Sequence, residues 1–391
     1  MFTILVTTTS GVEAVTKREL NDLGYTDLRV EEGVGILFRG DSAAVAKCNI
    51  CLRTAERVFV LLGQFRAVTF EELFQGVKAI PWGDILPEDA EFPVTGKSVK
   101  SGLFSVPDCQ AITKKAIVEK LKEKYNRQIF PETGVKYKIE VSIRNDIVRI
   151  VLDTSGDGLH KRGYRRIVGN SPIKETLACS LILLSYWKEG RILVDPLCGT
   201  GTIPIEAAMI ARNQAPGLRR SFIAEKYGIF NRDAWAHARA EAFGAINNDC
   251  RHTVFGSDLD PKCVELAQLH AKEARVENFV TFKQMNVLDL ASKEKYGFII
   301  TNPPYGERVG ELRAVEKLYG QMGRVFSALD TWSYYIITSH PSFERLFGRK
   351  ADKRRKLYNG ALQCQYYQYL GPKPPKAPKD GPDDGTKAVD L

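Results

Sequence analysis

The chain has 391 residues, of which 44% are hydrophobic and 26% charged, and its formal net charge is +9. This length predicts two or three domains, and the composition is that of an ordinary folded globular protein. No apolar run is long enough to span a membrane and the first residues lack an export signal, so we expect a cytoplasmic protein with no membrane partner.

The first half of the chain, up to about residue 160, alternates short strands and helices without the regular order of a doubly wound sheet. VEAVTKRELNDLG predicts a helix that ends at Gly24, and CQAITKKAIVEKLKEKY predicts a basic amphipathic helix. VKYKIEV alternates apolar and charged residues, as a half-buried strand does. Further strands are predicted at FTILVTT, VGILF, RVFVLLGQF and IVRIVLD, which together indicate an α+β fold.

From Ser171 onward, short apolar strands alternate with helices, which predicts a mostly parallel sheet covered on both faces. LQCQYYQYL is predicted as a late strand at an antiparallel edge of that sheet. The last stretch, residues 371–391, is rich in proline and has little to bury, so it is predicted to be a disordered tail.

The eight cysteines and five histidines are dispersed. The one close pair, Cys48 and Cys51, has no partner pair at zinc-finger spacing and lies in the predicted helix SAAVAKCNICL. Core packing explains these cysteines better than metal binding or redox chemistry. The sequence therefore predicts no metal site.

A glycine-rich turn, D-P-L-C-G-T-G-T, follows a predicted strand that ends near Val194. Pro204 stands where a dinucleotide fingerprint needs its third glycine, and no P-loop motif is present. An acid followed by two glycines fits S-adenosylmethionine, because the acid can hold the amino end of the methionine part while the glycines admit the cofactor. The predicted cofactor contacts in this turn are Asp195, Pro196, Cys198, Gly199, Gly201 and Thr202.

Two further strand ends carry polar residues, and ligands on such sheets bind at the carboxyl ends of strands. In GSDLDP, Asp258 suits the ribose hydroxyls with Leu259 beside it, whereas Asp260, which precedes a proline, fits a helix N-cap. Asn286 can accept a hydrogen bond from the adenine amine, and the Val287 N–H can meet a ring nitrogen. By itself this last stretch is also an ordinary boundary between a strand and a loop.

The segment T-N-P-P-Y-G-E-R follows the apolar run Phe298–Ile300. The Asn302 side-chain oxygen and the Pro303 carbonyl can accept both hydrogens of a nucleobase exocyclic amine, which raises the nitrogen lone pair toward a methyl sulfonium. Pro304 fixes the turn, Tyr305 offers a ring for stacking, and the two prolines hold the acceptors in place. The target base has to be unstacked or flipped out to enter. These four residues are the predicted catalytic group.

The net charge and a pI near 9.0 favour a polyanionic partner. Two basic clusters stand out, one from His160 to Arg166 and one from Lys350 to Lys356. A single cluster of this kind is usually solvated surface, whereas two on a basic protein favour nucleic acid. Lys161, Arg162, Arg165 and Arg166 are the predicted nucleic-acid contacts.

DPLCGTGT, GSDLDP and NPPYGER, in this order and spacing, resemble the class I S-adenosylmethionine-dependent methyltransferases that act on exocyclic amines. The Asn-Pro-Pro-aromatic pattern is shared by enzymes for adenine N6, guanine N2 and protein glutamine, so it does not choose the substrate. TTSGVEAVTKREL, EGVGILF, CLRTAERVFVLLGQF, LFQGVKAIPW and DTSGDGLHKRGYR are similar to the THUMP-domain RNA guanine-N2 methyltransferases. The similarity covers about residues 1–370 and is strongest to the N-terminal half of the bifunctional bacterial 23S ribosomal RNA enzymes.

This resemblance implies a ferredoxin-like segment over residues 1–54, a THUMP RNA-binding domain over 55–160 and a methyltransferase domain over 161–370. The last is expected to be Rossmann-like α/β with a mostly parallel seven-stranded sheet. S-adenosylmethionine is the implied cofactor, S-adenosylhomocysteine the product, and 23S rRNA or a large-subunit assembly intermediate the partner. The resemblance also places a common set of residues around the cofactor: Asp195, Gly199, Gly201, Asp258, Asn286 and Asn302.

The sequence departs from the family pattern at Asn286, where such enzymes often have Asp, so an acceptor is kept without its charge. Only one catalytic domain is present, and we expect one modification. Three alternatives stay open: a tRNA guanine-N2 methyltransferase, a DNA adenine-N6 methyltransferase, and a non-catalytic RNA-binding protein. The intact motifs at Gly199–Gly201 and Asn302–Tyr305 argue against the last.

Overall fold

A computed structural model describes residues 1–165, 173–251, 253–306 and 309–375. Residues 376–391 of the predicted tail lie outside these ranges. The chain divides into two compact units. The first comprises Met1–Thr8, Thr16–Leu159 and Pro216–Gly244, and the second comprises Thr9–Val15, His160–Ala215 and the chain from Ala245 onward.

The helices and strands up to residue 165 are, in chain order, β1 (Phe2–Thr8), α1 (Glu13–Asp22), β2 (Arg29–Glu31), β3 (Gly35–Gly40), α2 (Ser42–Cys51), β4 (Ala55–Arg66), α3 (Phe70–Lys78), β5 (Val94–Val99), α4 (Val106–Tyr125), β6 (Ile139–Arg144) and β7 (Ile147–Asp153). Those after residue 172 are α5 (Glu175–Leu184), β8 (Leu193–Asp195), α6 (Thr202–Ala211), α7 (Asp233–Gly244), β9 (Val254–Asp258), α8 (Pro261–Ala274), β10 (Val280–Gln284), β11 (Phe298–Thr301), α9 (Val309–Ser327), β12 (Ser333–Thr338), α10 (Phe343–Phe347), β13 (Lys353–Asn359) and β14 (Leu362–Tyr369).

The first unit is built on a seven-stranded sheet in the order β2-β3-β1-β4-β7-β6-β5. In β6, Ile139, Val141 and Ile143 are buried and alternate with less buried residues, as the sequence pattern predicted. Helix α3 begins at a capping box, in which the Thr69 hydroxyl accepts the Glu72 N–H while the Glu72 carboxylate accepts the Thr69 N–H. Strands and helices alternate irregularly, which confirms the predicted α+β character of this half.

The second unit contains a seven-stranded sheet in the order β10-β9-β8-β11-β12-β14-β13. The five strands from β10 to β12 are mutually parallel, and β14 is antiparallel to both β12 and β13. The predicted Rossmann-like α/β fold with a mostly parallel sheet is therefore confirmed. Among the described residues, no helix combines the length and the apolar character needed to cross a membrane.

One strand position differs from the prediction. LQCQYYQYL forms β14, which lies inside the sheet between β12 and β13, so its predicted edge position is wrong. Tyr366 and Tyr367 pack into the apolar clusters on opposite faces of the sheet, as a central strand requires. On this side of the sheet the edge strand is β13. Its first four residues are charged, so no apolar pattern predicted this strand.

The apolar clusters on the two faces of this sheet use different helices. One contains Leu181 of α5, Ile205 of α6 and Tyr335 of β12, all fully buried. The other contains Tyr319 and Phe326 of α9. Burial on both faces fixes the strand order and leaves the strand ends as the place where polar side chains can project.

Candidate active site

The carboxyl ends of the parallel strands meet at one edge of the second sheet. Asp195 ends β8 and pairs with Gly256 of β9, and Asp258 ends β9 and pairs with Gln284 of β10. On the other side of β8, Val194 pairs with Ile299 of β11, so Asn302 follows at the same edge. The sheet register therefore brings together the four strand ends that the sequence singled out, since Asn286 follows Gln284 at the end of β10.

The glycine-rich turn is tied to the neighbouring strand. The Gly199 N–H donates to the Asp258 carboxylate at 2.9 Å, and the Cys198 N–H donates to the Ser257 carbonyl at 2.9 Å. Gly201 has a φ of +85° and is the N-cap of α6, and a Cβ there would lie 2.8 Å from the Ala267 Cβ. Gly201 is thus required by its backbone conformation and by close packing.

Gly199 serves a different purpose, because a Cβ at this position would meet no atom within 4 Å. Its φ of +52° lies in the left-handed region that favours glycine, and the space beside its Cα is open at the sheet edge. Asp195 of this turn and the Asp258 carboxylate that accepts the Gly199 N–H both come from this edge. This arrangement fits the predicted cofactor, which needs a glycine-lined approach and carboxylate acceptors.

Asp195 is only 2% exposed, and no cation pairs with it among the described residues. Burial raises the pKa of its carboxyl to about 7, opposed by the nearby Thr301 hydroxyl and by the Leu197 N–H, while the Asp258 charge raises it further. A buried carboxylate without a cation is costly unless a ligand supplies one. Asp195 therefore suits a cationic ammonium group.

The sequence predicted different roles for Asp258, which was assigned to the ribose, and Asp260, which was assigned to a helix N-cap. Asp260 is the N-cap of α8 and accepts the Lys262 N–H at 2.9 Å, which confirms the cap. The half-buried Asp258 accepts the Gly199 and Asp260 N–H groups on different oxygens. Leu259 is 63% exposed and so presents an apolar side chain to solvent at this edge.

The Asn286 side chain is used locally. Its Oδ1 accepts the Leu288 N–H at 3.0 Å and so caps the short 3-10 turn Val287–Asp289. Val287 is buried. The amide oxygen that the sequence analysis assigned to adenine thus already has a partner, and contact of Asn286 and Val287 with adenine stays a prediction.

The NPPY loop, Asn302–Tyr305, contains an internal hydrogen bond. The Tyr305 hydroxyl donates to Asn302 Oδ1, and the Cys364 Sγ lies 3.8 Å from the same hydroxyl. Burial raises the pKa of Tyr305, so the hydroxyl stays protonated and acts as a donor. Among the described residues, nothing donates to the Pro303 carbonyl. Glu307 and Arg308 of the predicted motif lie outside the described residues.

A buried tyrosine that the sequence analysis missed holds this loop. The Tyr319 hydroxyl donates to the Pro304 carbonyl at 2.7 Å and lies 2.9 Å from the Thr338 hydroxyl. Tyr319 is fully buried, and its ring packs edge-to-face on Phe343 with centroids 4.9 Å apart. In the sequence it is an ordinary apolar-face residue of α9, so no local signal marks it.

Two of the predicted RNA contacts, Arg162 and Arg165, form ion pairs with buried carboxylates. Arg162 is 6% exposed, and its guanidinium lies 3.5 Å from the fully buried Glu206 carboxylate. Arg165 lies 3.4 Å from Glu175 and donates to the Thr202 hydroxyl at 3.2 Å.

The assignment of Arg162 to an RNA-binding surface is therefore corrected to a structural role beside α6, whereas contact of the half-buried Arg165 with RNA stays a prediction. The physical reason is that a buried Glu206 requires a buried cation. Lys161 is exposed. The predicted contact Arg166 lies outside the described residues.

The described residues contain no cluster of three or more His, Cys, Asp and Glu side chains placed to hold a metal ion. Cys48 and Cys51 lie in α2, Cys48 is buried, and all eight cysteines are free. These two cysteines are part of the helix packing, as predicted.

Comparison with known proteins decides the family. A profile for the RlmL ferredoxin-like domain matches residues 3–59, one for the THUMP domain matches 67–153, and one described as RMKL-like, methyltransferase domain, matches 162–368. The last match covers more than half of the chain. The chain belongs to the RMKL-like methyltransferase family.

Full-length relatives agree with this assignment. "Putative RNA methyltransferase YpsC" from Bacillus subtilis (strain 168) is 49% identical over 370 residues, covering 94% of this chain and 96% of that protein. A structure from Listeria monocytogenes, described as a predicted N6-adenine-specific DNA methylase, is 48% identical, with a TM-score of 0.90 and coverage of 95% and 96%. "SMU.472, a putative methyltransferase complexed with SAH" is 44% identical, with a TM-score of 0.90 and coverage of 96% and 99%.

We predict that Arg162→Ala destabilises this RMKL-like methyltransferase, because it leaves the Glu206 carboxylate buried without its cation. The free energy of unfolding of the second unit is expected to fall by about 3 kcal/mol, as measured by chemical denaturation. Lys161→Ala is the matched control and should change stability by less than about 0.5 kcal/mol. An Arg162→Ala protein of unchanged stability and weakened RNA binding would restore the surface role.

We also predict that S-adenosylmethionine binds more weakly as the pH falls below about 7. The raised pKa of Asp195 means that its carboxyl becomes protonated there in the free protein, and the neutral form cannot pair with an ammonium group. Calorimetry at pH 6 in two buffers of different ionisation enthalpy should show proton release on binding. Asp195→Asn should bind weakly without that release, whereas wild-type affinity that is constant from pH 5.5 to 7 would contradict the assignment.

Proposed function

We propose that the chain is an S-adenosylmethionine-dependent RNA methyltransferase that methylates the exocyclic N2 amine of a guanine in 23S rRNA, in the cytoplasm. The observation that carries this proposal is that Asn302 follows β11 at the same strand-end edge as the open glycine turn and the buried Asp195 carboxylate, which has no cation partner among the described residues. The family assignment supports a methyltransferase, and the S-adenosylhomocysteine in the structure of SMU.472 supports the cofactor.

The first half of the chain supports RNA as the substrate. The THUMP and RlmL ferredoxin-like profiles match it, and the relative YpsC carries an RNA methyltransferase name. The net charge of +9 also suits a polyanion. The likeness to the bacterial 23S rRNA enzymes favours guanine N2 in large-subunit RNA, free or in an assembly intermediate, over tRNA and over adenine in DNA.

The cofactor, when bound, supplies a methyl group on a positively charged sulfonium. Asp195 would hold its ammonium end, since this buried carboxylate has no cation of its own among the described residues. The Asp258 oxygens accept one backbone N–H each and keep further lone pairs for the two ribose hydroxyls. The exposed Leu259 side chain would lie against the adenine ring.

The amine is activated by hydrogen bonding and not by a strong base. Asn302 Oδ1 and the Pro303 carbonyl would accept the two amine hydrogens, which turns the nitrogen lone pair away from conjugation with the ring. The acceptors are fixed beforehand by the prolines and by Tyr319, so little reorganisation is needed as the C–N bond forms. The amine becomes acidic as it gains the methyl group, and one of its protons then leaves to water.

In the structure the Tyr305 hydroxyl donates a hydrogen bond to Asn302 Oδ1. The incoming amine would take over this oxygen, so substrate binding exchanges one donor for another at the same acceptor. Once its hydroxyl is displaced, the Tyr305 ring is available to stack on the flipped base. The exchange would keep the half-buried Asn302 amide hydrogen-bonded throughout.

The proposal is tested by methyl transfer from labelled S-adenosylmethionine to total RNA from cells that lack this protein, followed by nucleoside analysis. N2-methylguanosine in large-subunit RNA is the expected product. Label in the tRNA fraction would overturn the substrate and keep the chemistry. No label in any RNA, while the cofactor still binds, would overturn RNA methylation itself.

Asn302→Ala is expected to lower turnover by at least a hundredfold, because one of the two amine acceptors is lost. Cofactor affinity should change by less than threefold, since Asp195 and Asp258 remain. Single-turnover methyl transfer and calorimetric binding of the cofactor measure the two effects separately. Unchanged turnover would remove Asn302 from the catalytic group.

Tyr305→Phe is expected to be milder than Tyr305→Ala. The Phe variant keeps the ring for stacking and loses only the hydroxyl that the amine replaces, whereas Ala loses the ring, which is worth about 1–3 kcal/mol per stacked base. The comparison is made on kcat/KM for RNA. Equal damage by both substitutions would show that the hydroxyl matters more than stacking.

Tyr319→Phe is expected to lower kcat about tenfold, because the Pro304 carbonyl loses the donor that fixes the loop. The KM for the cofactor should not change. Tyr334→Phe is the matched control, since it also removes a buried hydroxyl, which donates to the Leu329 carbonyl away from the loop. If both variants lose the same activity, the effect is general destabilisation and Tyr319 has no positioning role.

A further inference from the structure

One of the two edge strands of the second sheet, β13, is strongly basic. Strand β13 pairs only with β14 among the described strands, and its first four residues are all exposed. We call these residues the basic edge strip: Lys353, Arg354, Arg355 and Lys356. Because successive residues of a strand point to opposite faces, the four cations surround the edge on both sides.

Most of this positive charge has no acid partner. Among the described residues, only Arg354 of the strip pairs with a carboxylate, that of Glu344 at 3.2 Å. The basic helix α4 shows the opposite pattern, since four of its lysines pair with nearby carboxylates: Lys114, Lys120, Lys122 and Lys124. The strip therefore keeps most of its positive charge, whereas the positive charge of α4 is largely neutralised by nearby carboxylates.

Aromatic rings accompany the strip. The Lys353 Nζ lies 5.7 Å from the centroid of the Tyr186 ring, and Tyr186 is 60% exposed. The Lys356 Nζ lies 5.5 Å from the centroid of the Tyr358 ring. Cations for phosphates beside aromatic faces for bases are the combination that binds single-stranded nucleic acid.

The sheet register places the strip level with the NPPY loop. Lys356 pairs with Gln365 of β14, which pairs with Thr338 of β12. The Thr338 hydroxyl bonds to Tyr319, which holds the Pro304 carbonyl. Three strand spacings, about 14 Å, separate β13 from β11, the strand that Asn302 follows. A flipped nucleotide and the phosphates next to it along the strand can span this distance.

We propose that the basic edge strip binds the phosphates next to the target nucleotide and holds the RNA strand from which the base is flipped. This inference rests on the proposed function and adds to it a substrate-binding surface on the catalytic unit. Strand β13 runs parallel to β12, so the strip leads toward the edge of the sheet where Asn302 lies. Phosphate contacts of this kind position the strand without reading its sequence.

Charged residues on an edge strand can also serve only to prevent pairing with another sheet. At Lys356 the edge is already approached by the chain, since a Cβ at Gly11 would lie 2.8 Å from the Lys356 carbonyl oxygen. If the strip only protects the edge, neutralising it should cause self-association and leave RNA affinity unchanged. If the strip binds RNA, neutralising it should lower RNA affinity without self-association.

The test neutralises three unpaired cations together, as Lys353→Gln, Arg355→Gln and Lys356→Gln in the full chain. The matched control is Lys188→Gln, Lys293→Gln and Lys295→Gln, which removes the same charge from exposed lysines that precede β8 and β11, on the side of the sheet where these strands begin. Affinity for total RNA is measured over a salt series by fluorescence anisotropy. Methyl transfer gives KM for RNA and kcat.

For the strip variant, the slope of log affinity against log salt is expected to fall by about 2, or roughly 0.7 per lost phosphate contact. The KM for RNA should rise at least tenfold while cofactor affinity stays unchanged, and the control should behave as wild type. An unchanged slope and KM, equal loss in both variants, or self-association alone would overturn the proposal. If wild type transfers no methyl group to any RNA, the proposed function fails, and the salt slopes still decide whether the strip binds RNA.

Discussion

The glycine-rich turn depends on one buried carboxylate, that of Glu206 in the first part of α6. Glu206 is fully buried and accepts the Tyr164 hydroxyl at 3.0 Å and the Cys179 thiol at 2.8 Å, with Arg162 beside it at 3.5 Å. Two hydrogen-bond donors, the Tyr164 hydroxyl and the Cys179 thiol, and the Arg162 cation offset the cost of removing this charge from water. Because α6 begins directly after Gly201, the same contacts that satisfy Glu206 fix the turn at the sheet edge.

A second constraint is the parallel arrangement of the strands. Their carboxyl ends must lie at one edge, so the acids after β8 and β9 and the amide after β11 share a small region although they are distant in sequence. The region is held from both faces of the sheet. The Glu206 contacts fix the glycine-rich turn, and Tyr319, packed on the other face, fixes the Pro304 carbonyl. Rigid acceptors and an unpaired buried acid are what a preorganised transfer site requires.

The distribution of charge separates structural cations from those that face solvent. Arg162 and Arg165 are committed to buried carboxylates, and the lysines of α4 are mostly paired on the surface. The basic edge strip is different, since three of its four cations lack a carboxylate partner among the described residues. Net charge alone does not reveal this difference, because all these residues contribute equally to a sum of +9.

The sequence was sufficient to predict the features that arise from neighbouring residues. It identified the alternation of strands and helices in the second half, the glycine-rich turn, the cap at Asp260 and the polar strand ends, because each has a local pattern with a local cause. The order of the strands did not follow from the sequence. Strand β13 was not predicted, because its first four residues are charged. Only the three-dimensional contacts show that Arg162 is buried, that Arg165 pairs with the buried Glu175 and that Tyr319 holds the NPPY loop. These roles depend on contacts between residues that are not neighbours in the sequence, so no periodic or compositional pattern predicts them.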